Sequence, residues 1–136
     1  MVRVIMGEEG TGKTKKLIEL VNDAASQEAG NVVCIERKNS MTFDIHYHVR
    51  LIVAEEFEIA SYETMRGFIS GLYAGNYDIS HVFIDNLLKI VHGKSDHECE
   101  LFLDWLEKFS DAHGVRFTVA MSEDPSNATD GMQKYL

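Results

Sequence analysis

Thiol chemistry has little to work with in this chain. Cys34 and Cys99 are its only cysteines, and they lie far apart, outside any Cys-x-x-Cys pattern. That argues against a disulfide framework or a thiolate zinc site, and a reduced cytoplasmic compartment is the expectation. Proline is nearly absent, with Pro125 alone, and hydrophobic side chains make up 45% of the residues. A disordered, collagen-like or low-complexity chain is thereby excluded. No apolar run approaches the roughly 20 residues that a membrane helix needs. The opening MVRVIM is too short for the apolar stretch of a signal peptide. Clustered Lys and Arg are missing as well, so the counterion release that drives nucleic-acid binding has no obvious source, and direct contact with nucleic acid is not expected.

The 136 residues present suit one domain, large enough to bury about 65–70% of its unfolded surface. The net charge of −9 is unevenly spread. Residues 1–54 hold seven Lys/Arg and seven Asp/Glu, whereas residues 55–136 hold six and fifteen. Solubility alone explains an acidic face of this kind.

Periodicity predicts strands alternating with helices. Residues 2–6 form a short apolar run, and Leu17, Ile18, Leu20, Val21, Ala24 and Ala25 then recur at helical spacing up to Gly30. Residues 31–36 (NVVCIE) read as a buried strand, and residues 42–53 as one or two edge strands. Ser61 opens a second helix with Ser-x-x-Thr, short of a full capping box, and residues 81–85 (HVFID) form a third buried strand. Ser95 and Glu98 make the capping box of a third long helix ending at His113 and Gly114, before the strand of residues 115–121. Such alternation predicts an α/β fold, a three-layer α/β/α sandwich around a mostly parallel sheet of about five strands.

Gly7-Glu8-Glu9-Gly10-Thr11-Gly12-Lys13-Thr14 fits G-x-x-x-x-G-K-[ST] at every defined position, between a strand and an amphipathic helix. Glycines let the backbone wrap a phosphate so that successive N–H groups and the helix N-terminus face the anion. Lys13 supplies a point charge for the β- and γ-phosphates, and the Thr14 hydroxyl a ligand for Mg²⁺. Glu8 and Glu9 are expected to point outward into solvent. Downstream, an apolar strand ends in Asp85, whose carboxylate is placed to hold Mg²⁺ through its water shell.

With these two motifs the chain resembles the P-loop NTPases, and more closely their RecA-like branch, over residues 1 to about 122. Residues 82–90 (VFIDNLLKI) look like the Walker B segment of that branch. The resemblance implies a RecA-like P-loop core, with the last strand inserted between the phosphate-loop strand and the Walker B strand. It also implies that Ser122 senses the γ-phosphate. Many relatives carry a catalytic glutamate directly after the Walker B aspartate, where this chain has Asn86. RecA-like members carry it at the end of the strand after the first helix, which here is Glu36. Two readings of Glu36 stand: a base polarising the attacking water, or a strand-end residue pairing with Arg37 or Lys38 in solvent.

The expectation is therefore a nucleotide-binding domain over residues 1–122 followed by a polar tail, 123–136, that is loop with at most one short helix. It would bind a nucleoside triphosphate, ATP first, with Mg²⁺ and hydrolyse it slowly; the guanine motif Asn-Lys-x-Asp is absent. The alternative is a non-hydrolysing sensor of ATP occupancy acting through a protein partner. A homo-oligomer is open, since an arginine finger from a neighbour is common in this branch, and Arg37, Arg50, Arg66 and Arg116 are the candidates in cis. Asp44, His46 and His48 would share one face of a strand, which suits either a divalent metal or merely the polar side of an edge strand.

Overall fold

The structure, a computed structural model, describes residues 1–39, 44–92 and 95–136. Among these residues five strands build one parallel sheet: β1 (Val2–Gly7), β2 (Asn31–Glu36), β3 (Arg50–Val53), β4 (Ile79–Ile84) and β5 (Arg116–Ser122). Their order is β1-β5-β4-β2-β3, so β5 lies between β1 and β4, as expected for the last strand. The helices are α1 (Lys13–Gln27), α2 (Tyr62–Gly75), α3 (Leu87–Ile90), α4 (Asp96–His113) and α5 (Asp130–Gln133).

Side-chain alternation divides the core in two. Along one row of register partners, Val4, Val119, Ile84, Ile35 and Ile52 face α2, α3 and α4. One residue further on or back, Ile5, Ala120, Phe83, Cys34 and Leu51 face Leu17 and Val21 of α1. Helices thus cover both faces of the sheet. This is why the strands read as continuous apolar runs rather than alternating ones. Among the described residues, no helix is long and apolar enough to cross a membrane.

Several boundaries differ from the sequence reading. Of residues 42–53, those before 44 fall outside the described residues, and only Arg50–Val53 form a strand. Residues 44–49 run as turns, with Asn22 Oδ1 accepting the His46 N–H at 2.8 Å. Asp44, His46 and His48 therefore share no strand face, and His46 Nδ1 accepts the His48 backbone N–H at 3.2 Å. At Ser61 the capping box is complete after all. Thr64 Oγ1 accepts the Ser61 N–H and Ser61 Oγ accepts the Thr64 N–H, both at 3.1 Å, because a hydroxyl offers lone pairs as a glutamate does.

The segment 123–136 does more than a polar tail would. Ala128, Met132 and Tyr135 are buried in the larger core. The Tyr135 carbonyl accepts the Val4 N–H at 2.7 Å, giving the outer edge of β1 a backbone partner.

Candidate functional site

The alternation that sends Ile5, Ala120, Phe83 and Cys34 toward α1 continues one step further at the C-terminal ends of the strands. There it delivers Gly7, Ser122, Asp85 and Glu36 to the same face, under the N-terminus of α1. The loop between β1 and α1 arches over them. Gly10 and Gly12 have φ of 83° and 81°, a left-handed backbone that other residues adopt only at a cost. The loop turns tightly enough that a side chain at position 7 would meet Thr11 Oγ1 at 2.7 Å. Thr11 closes the turn by donating from Oγ1 to the Glu8 carbonyl at 2.7 Å.

Glu8, Glu9, Gly10, Thr11, Gly12 and Thr14 are exposed, whereas Lys13 is only 8% exposed. Gly12 at the N-cap brings no capping side chain and the first turn of α1 holds no acidic residue, so among the described residues its leading N–H groups and positive dipole end remain for an anion. Both acidic residues of the loop, Glu8 and Glu9, are exposed. Glu9 forms an ion pair with Lys89 of α3.

Beneath the loop lie two carboxylates. Asp85 is 6% exposed and Glu36 1%. Glu36 therefore does not sit in solvent, and its neighbour Arg37 engages Glu55 at 3.4 Å. Burial holds the Asp85 carboxyl above its ordinary pKa; the Lys13 ammonium opposes this, the Glu36 charge adds to it, and the Asn86 backbone N–H opposes it. The Cys34 thiol, two residues before Glu36, is pushed upward by burial and then by both carboxylates, so it stays protonated.

A raised folded pKa means that the native state binds more protons than the unfolded state between Asp85's ordinary value and its native one. Stability then falls as pH rises through that window and stays lowered above it. Asp85→Asn removes this cost. The ligand-free variant is expected to be more stable than wild type at pH 7, by about 0.5–2 kcal/mol, the usual yield when a functional strain is relieved. The gain should shrink as pH falls toward 4. Thermal melts at the two pH values check this, and a variant less stable at pH 7 would contradict it.

Asp85 Oδ1 is buried and has no hydrogen-bond partner among the described residues. An acceptor stranded in this way fits a cation or its water shell. No group of three or more His, Cys, Asp or Glu side chains gathers for a metal among the described residues. So few protein ligands suit Mg²⁺ better than zinc, because Mg²⁺ keeps several waters and is usually bound through one or two carboxylates plus phosphate oxygens.

Two features escaped the sequence reading. Asn86 adopts φ 53°, a conformation for which asparagine is enriched, and its Oδ1 accepts a hydrogen bond from Ser122 Oγ. The ends of β4 and β5 are thereby joined directly beside Asp85. The second is the one-turn helix α3, which carries Lys89 to Glu9. Arg116 is placed away from the loop, at the opposite end of β5, where it donates to Glu28 Oε2 at 2.8 Å. No known family model matches the chain, and no curated protein matches it.

Proposed function

We propose that this chain is a P-loop protein of the RecA-like branch that binds ATP with Mg²⁺ and hydrolyses it slowly. The observation that carries the reading is the stacking of an uncapped α1 N-terminus and its glycine loop over a buried Lys13 and a buried Asp85 with a stranded oxygen. The position of β5 between β1 and β4 supports the RecA-like assignment. Both cysteines are buried and free, which agrees with a reducing cytoplasmic setting.

In this reading the loop from Gly7 to Gly12 wraps the phosphates with backbone N–H groups, and Lys13 pairs with their charge. Thr14 and Asp85 hold Mg²⁺, which supplies charge stabilisation at the phosphoryl oxygens. Glu36 orients the attacking water and accepts its proton. Ser122 stands at the end of β5, in register with Gly7, where its hydroxyl can exchange Asn86 for a phosphate oxygen.

One observation favours the second reading, a non-hydrolysing sensor of ATP occupancy. The position after Asp85 holds an amide already bonded to Ser122, so it can neither act as a base nor move without breaking that bond. Titration calorimetry with ATP, ADP and GTP, with and without Mg²⁺, followed by a phosphate-release assay, separates the readings. Mg²⁺-enhanced ATP binding with release supports the enzyme, and binding without release supports the sensor. Absence of nucleotide binding would overturn both.

A further inference from the structure

Away from the nucleotide site, and independent of it, α2 turns a bare face outward between two apolar grooves. One groove, about 620 Å³, is lined by Phe57, Ile59, Phe68 and Leu72. The other, about 550 Å³, is lined by Tyr73, Tyr77, Phe109 and His113. Phe57 is 49% exposed and Tyr77 75%, large side chains that the fold leaves in water. On the ridge between them every exposed position from 67 to 75 is small: Gly67, Ser70, Gly71, Ala74 and Gly75. A side chain added at Gly67, Gly71 or Gly75 would meet no atom within 4 Å, and none of the three has positive φ. The fold itself therefore has no need of glycine there, and helix propensity argues against it. A closely approaching helix would need it, because only then can two backbones lie together over a flat ridge with apolar side chains filling both flanks.

The charges around this face say what kind of helix. Glu58 lines the Phe57 groove. Glu55, Glu56 and Glu63 lie near it in sequence, Glu55 paired with Arg37 at 3.4 Å. Asp78 follows Tyr77, and Arg66 is the only Lys or Arg between residues 55 and 78. Glu58 lines the groove with φ 57°, a left-handed conformation that glycine would adopt more cheaply. A second copy of this chain would bring the same acidic rim and a further −9 of charge, which opposes pairing. We propose that this face of α2 docks a basic amphipathic helix of a protein partner, its small and aliphatic side chains on the glycine ridge and its Lys and Arg residues toward the glutamates.

The probe is a dye-labelled peptide of about 18 residues, five helical turns, with a leucine/alanine face and lysines opposite. Its controls are a scrambled peptide of the same composition and a version with glutamate for lysine. Fluorescence anisotropy at physiological salt should show the wild-type protein binding the amphipathic peptide at least about tenfold more tightly than either control, the separation expected where apolar anchors and charge act together. Two variants keep the fold. Gly71→Gln fills the ridge at a position open to solvent, and Glu58→Gly removes a rim charge while relaxing the backbone. Both should melt at or above the wild-type temperature and bind the peptide several-fold more weakly. Equal binding of all three peptides, or wild-type affinity in both variants, would overturn the proposal. So would a wild-type dimer, seen by sedimentation equilibrium, that Gly71→Gln disperses, since the face would then belong to a second copy.

Discussion

Exchanging Glu36 for glutamine is expected to slow single-turnover ATP hydrolysis by about 10²–10⁴-fold, the usual worth of a general base, and to leave ATP affinity unchanged. The substitution is isosteric at a site that is almost wholly buried, so packing is preserved and only the charge is lost. It also has a side effect that a purely structural glutamate would share. Without the Glu36 charge, Asp85 ionises more readily, because that charge is one of the causes holding its pKa up. The rate measurement therefore decides the role and the stability measurement does not. Equal turnover in wild type and variant would exclude Glu36 as the base. No turnover in either would favour the occupancy sensor.

Replacing Lys13 by alanine should weaken ATP binding by about ten- to 150-fold, corresponding to a charge-assisted contact of about 1.5–3 kcal/mol. Its place under the loop adds a second consequence. Lys13 is buried and opposes the rise of the Asp85 pKa. Its removal raises that pKa further, so the variant loses stability above Asp85's titration window and recovers as pH falls below it. Calorimetric titration with ATP and thermal melts at pH 4 and pH 7 measure the two effects separately. Wild-type ATP affinity in the variant would remove the phosphate-loop reading.

Much of this was legible in the residues, and the exceptions have physical causes. The strands β2, β4 and β5 are buried on both faces along most of their length, and β1 on one face with partial cover on the other, so each announces itself as an apolar run. The tight turn from Gly7 to Gly12 is legible because glycines that take positive φ are spaced along the chain itself. The turns at 44–49 were not, because they are fixed by Asn22, which is far away in sequence, while alternating Asp44, His46 and His48 mimic a strand. A single turn such as α3 is too short for periodicity to register. In the tail, Ala128, Met132 and Tyr135 stand at helical spacing, but their polar surroundings mask the signal. The burial of Glu36 follows only once β2 is placed between β4 and β3, which no local pattern reveals.

The position of β5 also governs when this protein can come into being. Among the described residues, strand β1 joins the sheet only through β5, with Val4 beside Val119. During synthesis, at about 5–20 residues per second, the first strand emerges early and has no sheet to enter until the fifth has followed it. Its apolar side chains stay open to chaperones for that interval, and a non-local closure of this kind slows folding. The glycine loop, strung between β1 and α1, has its β1 anchor in the sheet only once β5 has arrived. A ribosome that stalls before β5 releases a chain whose second, third and fourth strands can pair while the first remains a loose end.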